Sequence, residues 1–333
     1  MTNSYAIIAP DMLQIGDQFD RFQIQAHLAQ GGMSDIYRAF DLVNHREVAL
    51  KVPDQSIIGD PAQYERFQRE LQVMKTLQHP AILRGLDSGK YNRMPYLVTE
   101  FVQGQSLREM IEKCAPMPLE QVIPIVRKIA DGMAYCHENG VIHRDLKPEN
   151  ILIGDEGQPV IMDFGLALTK SAHRVTYSNL SATMGTPDYM APEQVEGKRG
   201  DARTDVYALG TILYEMLSGK TPFAGDNNLA VMAMHLNGTA PRLDRERPGI
   251  SPQIAAIAAR CLQHGPEDRY QDMRALIDAL DHPELADLGL LEKAAAPQST
   301  PLWRLQAVQA IGISVIVMLA IVVLAFALQS LRP

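Results

Sequence analysis

The chain of 333 residues has no surplus of positive charge: 31 Lys and Arg stand against 39 Asp and Glu, a formal net charge of -8. Holding nucleic acid by bulk electrostatics needs the opposite balance, so no nucleic-acid partner is expected. Cysteine is scarce as well. Cys114, Cys136 and Cys261 lie far apart in sequence, fit no metal-ligand spacing and cannot all pair with one another. Buried, reduced thiols in a reducing compartment are the expectation. The opening stretch, MTNSYAIIAPDM, has neither a basic leader nor a long apolar run, so no signal peptide is expected, and no internal repeat is visible. With 46% hydrophobic and 21% charged residues, the remaining composition is that of an ordinary globular chain able to bury a sizeable core.

A long uncharged run is present at the C-terminal end. From Ala310 to Leu328 the chain reads AIGISVIVMLAIVVLAFAL, about nineteen residues without a charge, the length a helix needs to cross a bilayer. A buried core helix of that length would carry a polar stripe, and this segment has only Ser314. Trp303, Arg304 and Arg332 resemble interfacial anchors, so a transmembrane helix over 305–328 in contact with the lipid bilayer is expected, followed by a short tail, 329–333. The preceding stretch, 283–304, contains AAAP and QSTP without periodicity and reads as a linker.

Residues 1–18 form a leader. Between 19 and 103 short alternating runs predict strands over Phe22–Leu28, Ile36–Phe40, Glu47–Val52 and Pro95–Val102. One helix interrupts them over 63–77, where Phe67, Leu71, Met74 and Leu77 recur at three and four residues. From 104 to 282 the period is helical, with helices predicted over Ser106–Lys113, Leu119–Asn139, Ala202–Ser218, Asn228–Asn237, Ile254–Gln263 and Tyr270–Leu280.

The chemistry concentrates in HRDLKPEN, residues 143–150, and in Asp163-Phe164-Gly165 after the apolar Val160-Ile161-Met162. Carboxylates at two loop ends with an asparagine between them in sequence suit oxygen-liganded Mg2+ holding a polyphosphate. Asp145 with Lys147 adds a proton acceptor and a cation two residues apart.

These motifs, with Val48-Ala49-Leu50-Lys51, Glu70, Ala191-Pro192-Glu193, Asp205 in DVYALG and Arg269 in PEDRY, resemble those of the eukaryotic-like Ser/Thr protein kinases, and bacterial members in particular, over roughly residues 20 to 282. The resemblance implies an α+β, bilobal protein kinase fold: a small lobe of antiparallel sheet plus one helix (19–103), and a larger, mostly helical lobe (104–282). It implies ATP and Mg2+ as cofactors, with Mn2+ an acceptable substitute, and protein substrates. In those terms Lys51 holds the α- and β-phosphates and pairs with Glu70, Asp145 accepts the substrate hydroxyl proton, Lys147 stabilises the γ-phosphoryl charge, and Asn150 and Asp163 ligate metal. The adenine lies between Ile36 and Ala49 above and Leu152 below, Leu28 belongs to the same ATP-binding set, backbone groups of Glu100 and Val102 read the adenine edge, and Thr99 guards the pocket behind. The lysine of HRDLKPEN favours Ser and Thr acceptors.

The phosphate-covering loop departs from the family pattern. It reads Leu28-Ala29-Gln30-Gly31-Gly32-Met33-Ser34, keeping Gly31 of the three usual glycines, with Gly32 as additional freedom and Ala29 and Ser34 at the flanking places. This loop is the sole argument for an ATP-binding pseudokinase scaffold over an active enzyme. Arg144 before Asp145 resembles kinases whose activation loop is ordered by phosphate, which makes Thr176, Ser178, Ser181 and Thr183 the candidate phosphosites. His143 is expected to pack beside Phe164, and Glu193 with Arg269 to form a buried ion pair. ATP and reduced thiols put the kinase domain on the cytoplasmic side of a plasma membrane in a single-pass topology, and Ala310 with Ser314 offers a small-residue pair through which the span could form a homodimer.

Overall fold

The structure, a computed structural model, describes residues 13–30, 34–54, 67, 70, 73–92, 94–164, 168–169 and 187–295. Strands β1 (Gln18–Phe19), β2 (Phe22–Gln30), β3 (Ser34–Asp41), β4 (Arg46–Pro53), β5 (Gly85–Tyr91) and β6 (Met94–Glu100) form one antiparallel sheet in the order β1-β2-β3-β4-β6-β5. In β4 the two-residue period is explicit. Val48, Leu50 and Val52 are buried in the small-lobe core with Phe22, Ile24, Tyr37 and Val98, while Ala49 and Lys51 face the other way, half-buried. A one-residue slip would trade three buried aliphatics, each worth about 1.5–3 kcal/mol, for a lysine, so the register is fixed.

Strand β5 has no counterpart in the sequence expectations. GLDSGKY carries no apolar alternation because it is a sheet edge with no fully buried residue, and only its pairing with β6 makes it a strand. Phe67, Glu70 and residues 73–76 are helical. The apolar side of that helix, Phe67 and Met74, joins the core of the large lobe together with Leu77 just after it. Leu71 lies outside the described residues.

The larger lobe runs β7 (Gly104–Ser106), α1 (Leu107–Cys114), α2 (Leu119–Glu138), β8 (Val141–Ile142), β9 (Ile151–Gly154), β10 (Pro159–Ile161), β11 (Leu168–Thr169), α3 (Pro192–Val195), α4 (Ala202–Ser218), α5 (Asn228–Asn237), α6 (Leu243–Glu246), α7 (Pro252–Cys261), α8 (Met273–Asp281) and α9 (Gly289–Ala295). Caps move several predicted boundaries. Ser106 is the N-cap of α1, accepting from Glu109 N at 3.1 Å. Ser251 caps α7, with Pro252 in its first turn, so the helix begins two residues before Ile254; Asp272 caps α8, so it begins three after Tyr270.

Helix α4 is the axle of this lobe: every residue from Thr204 to Leu217 is buried, as in a helix surrounded by protein. Asp201 caps its start, and Gly219, at φ 81°, ends it in the left-handed conformation glycine adopts freely. Gly210 lets α7 approach, since a Cβ there would collide with that of Cys261. Cys136 and Cys261 are buried and unpaired, as expected, but Cys114 is exposed, because the last residue of α1 faces away from the core. Burial pushes the Cys261 thiol up to about 12.

Among the described residues no helix is long and apolar enough to cross a membrane. The predicted span over 305–328 lies outside them. Contacts divide the chain into 1–294 and 295–333, and of the second unit only Ala295 is among the described residues.

Candidate active site

The unburied face of β4 builds one wall of the site. Ile36 pairs with Lys51 and Ala49 with Thr99 across neighbouring strands, and paired residues share a face, so Ile36, Ala49, Lys51, Leu97 and Thr99 line one surface. Leu97 is packed into the large-lobe core, so that surface faces the catalytic elements. Thr99 is buried and its hydroxyl donates to Glu100 O at 3.1 Å. The Glu100 N–H is already taken by Arg84 O at 3.0 Å, so the carbonyl, not the amide, is what this residue offers to a ligand. Val102 and Leu152 are half-buried, and Leu28 is 45% exposed. Gly31 and Gly32 lie outside the described residues, as do Thr176, Ser178, Ser181 and Thr183.

Lys51 Nζ donates to both carboxylate oxygens of Glu70, at 2.8 and 2.7 Å, and stands 3.9 Å from Asp163 Oδ1. Burial disfavours the Lys51 charge, but Glu70 and Asp163 outweigh it and raise its pKa, so the ammonium persists at any physiological pH. This bridge ties β4 to the helix and puts a fixed cation beside Asp163.

The loop between β8 and β9 carries the remaining groups. Asp145 Oδ2 accepts from Lys147 Nζ at 2.8 Å and from Asn150 Nδ2 at 3.1 Å, and Asn150 Nδ2 also donates to Asp145 O at 2.8 Å. Burial works against the Lys147 charge, and Asp145 beside it reverses this and raises its pKa. The Asn150 amide nitrogen is thus spent on Asp145, which leaves its oxygen for a cation. Met162 N donates to Asn150 O at 2.9 Å, so the Asp163 turn is tethered to the same loop. Among the described residues no group of three or more His, Cys, Asp or Glu could hold a metal on its own. Asn150 and Asp163 supply two oxygens, which fits Mg2+, an ion that takes few protein ligands and completes its shell with phosphate and water.

Arg144 and Asp163 have φ of 68° and 64°, sparsely populated for non-glycine residues. Such strain persists only where surroundings over-determine it. For Arg144 they do. Asp205, fully buried on α4, accepts from His143 N at 2.9 Å, Arg144 N at 2.8 Å and His137 Nε2 at 2.8 Å. Burial alone would raise the Asp205 carboxyl, but these donors hold it below its usual range. Gln194 of α3 donates to Arg144 O at 2.8 Å from the other side. His143 is spent on scaffolding: its Nδ1 accepts from Asp145 N at 3.3 Å, its Nε2 donates to Met162 O at 3.1 Å, and its ring meets Phe164 at 4.9 Å.

The sequence reading named Asp205 without its role, and it missed His137 and Gln194. The available signal was a carboxylate near the start of the largely apolar α4, where only a set of donors can satisfy it. The expected Glu193–Arg269 pair is present and buried, at 2.8 and 2.9 Å.

A two-lobed fold that brings a lysine–glutamate bridge, a loop carrying Asp145, Lys147 and Asn150, and a second aspartate on a tethered turn into one region is the arrangement of a protein kinase fold. The family model described as "Protein kinase domain" matches residues 22–283, and the chain belongs to that family. The curated proteins it is similar to include bacterial serine/threonine-protein kinases. The serine/threonine-protein kinase PknL of Mycobacterium tuberculosis is 39% identical over 256 residues, covering 77% of this chain and 64% of that protein. PknB of Mycobacterium leprae is 39% identical over 263 residues, covering 77% of this chain and 42% of that one. The chain therefore spans less than two thirds of the curated relatives it matches. The crystal structure of a single-substitution mutant of the Mycobacterium tuberculosis PknI kinase domain superposes with a TM-score of 0.64 at 25% identity, over 82% of this chain and 99% of that one.

Proposed function

We propose that this chain transfers the γ-phosphoryl group of ATP to Ser and Thr hydroxyls of proteins. The observation that carries the reading is the intact pair of clusters: Lys51 bound to Glu70 beside Asp163, and Asp145 bound to Lys147 and Asn150. Lys51 orients the α- and β-phosphates. Asp145 receives the hydroxyl proton on Oδ1, the oxygen that neither Lys147 nor Asn150 occupies. Lys147 neutralises charge growing on the transferred group in a site already set up for it. Asn150 and Asp163 hold Mg2+, which supplies charge neutralisation of the phosphates when bound. Ile36, Ala49 and Leu152 give the adenine an apolar slot.

The kinase domain occupies about 19–282 and works on the cytoplasmic face of a plasma membrane, held there by a transmembrane helix over 305–328 whose support is its length and lack of charge. Autophosphorylation at one or more of Thr176, Ser178, Ser181 and Thr183 switches it on, and pairing of spans brings two copies together. The scaffold alternative draws only on Ala29 and Ser34.

The test uses the full chain in detergent micelles with labelled ATP, Mg2+ and three versions of one acceptor peptide bearing Ser, Thr or Tyr. Label on the Ser and Thr versions alone supports the reading. Label on none, with ATP bound, moves the chain to the scaffold class.

A further inference from the structure

Outside the nucleotide site, Arg108, on the first turn of α1, bridges two carboxylates from different segments. Its Nε donates to Glu149 Oε1 and its Nη1 to Glu215 Oε1, both at 2.8 Å, and its Nη2 to the Tyr189 hydroxyl, which itself donates to Glu215 Oε2. The groups converge from four segments. Glu149 sits in the turn Pro148–Asn150, one residue before Asn150 and four after Asp145; Asp188 and Tyr189 lie in the turn Pro187–Tyr189; Glu215 comes from α4. Among the described residues Glu149 and Glu215 have no other cation, and Asp188 is in no ion pair. Burial and the neighbouring Glu215 push the Asp188 carboxyl up.

Arg108 is unnecessary to the phosphoryl transfer derived above, yet it meets carboxylates on the flank of the catalytic loop, where a protein substrate must approach Asp145. The cluster is not sealed in the core: the side chains of Arg108 and Glu149 are 23% and 44% exposed, against 7% for Glu215. A cation arriving from solvent would meet Glu149 first and find its partners taken.

Resting on the kinase reading, we propose that Arg108 is a specificity-determining residue: it fills from within the chain the place in which Glu149 and Glu215 would otherwise hold a basic side chain of the substrate. A guanidinium carried on the same chain competes at an effective concentration no free peptide reaches. Displacing it would strip a buried carboxylate of its partner. The enzyme therefore does not select for a basic residue at this position, although the pocket is built from acids.

The test is a peptide scan on the full chain in micelles. One acceptor Ser is flanked by alanines, and Arg or norleucine is stepped through the four positions on each side. Both kcat/KM and equilibrium binding by fluorescence anisotropy are read. For the natural chain the Arg to norleucine ratio stays within about threefold at the position next to this pocket; for Arg108→Ala it rises to about tenfold or more at that one position. Arg108→Ala/Glu215→Gln loses the gain. A folded Arg108→Ala with no position-specific gain overturns the proposal, and so does a gain that survives in the double variant. If Arg108→Ala does not fold, Glu149→Gln decides. That variant frees the outer edge of the guanidinium, so a Glu-bearing peptide gains at the same position, and no gain overturns the proposal. Binding is read independently of transfer, so failure of the kinase reading leaves the anisotropy result to judge Arg108.

Discussion

Replacing Arg269 by Met tests what holds the large lobe around the catalytic loop. Arg269 is fully buried and uses all five of its donors: Nη1 on Glu193 Oε1 and Arg203 O, Nη2 on Glu193 Oε2 and His264 O, and Nε on Gln263 O. Its guanidinium also lies 4.8 Å from the Tyr207 ring centroid. Methionine fills similar volume but leaves the Glu193 carboxylate without its cation, held by neutral donors such as the Thr204 hydroxyl, 2.8 Å away. An uncompensated buried charge of this kind costs about 3–5 kcal/mol. For a domain of this size that lowers the melting temperature by about 6–20 °C. The full chain in micelles, melted by far-UV circular dichroism, gives the number.

The pH dependence has a definite sign. Burial would raise the Glu193 carboxyl, but Arg269 holds it below its ordinary value of 4.5. A depressed folded pKa contributes stability that is fully present above the unfolded value and disappears as pH falls through the folded one. The gap between natural chain and variant is therefore widest near neutral pH and closes as the pH falls through the folded pKa of Glu193, which lies below 4.5. Adding Glu193→Met removes the stranded charge and restores most of the loss. A single variant that melts within about 2 °C of the natural chain at pH 7 would refute the reasoning, as would a double variant no more stable than the single.

Asp205→Asn replaces one acceptor oxygen by a donor opposite backbone N–H groups, so the loop holding Asp145 shifts; transfer falls by about 10–100-fold while ATP affinity changes by less than about threefold. Equal losses in both, measured by steady-state kinetics and nucleotide titration, would count against a positioning role. Lys51→Met removes the cation meant for the phosphates and lowers transfer by about 100–1,000-fold. It also strands Glu70, so melting of Lys51→Met should recover on adding Glu70→Gln; if it does not, the bridge is not what stabilises that contact.

Much of the site was legible because its residues are consecutive or sit at fixed spacings. HRDLKPEN announced Asp145, Lys147 and Asn150, and the alternating run Glu47–Val52 announced the strand that carries Lys51. What could not be read depends on contacts between distant segments. Strand β5 is polar because it is an edge. The positive φ at Arg144 and Asp163 has no glycine to signal it, and it is Asp205, about sixty residues downstream, that ties the Arg144 backbone in place. Arg108 reads as an ordinary surface residue of an amphipathic helix, and its three partners come from segments 41, 81 and 107 residues away. Cys114 was misjudged for the same reason: thiol chemistry predicts burial on average, and the face of α1 it occupies overrides the average.

The most direct test of the central claim compares the natural chain with Asp145→Asn in one single-turnover experiment, using labelled ATP, Mg2+ and a Ser-bearing acceptor protein. The variant keeps the side-chain size but lacks the proton acceptor, so transfer falls by about 100–10,000-fold with ATP binding retained. Equal transfer by both would contradict the assignment of Asp145 and, with it, the mechanism built on this loop.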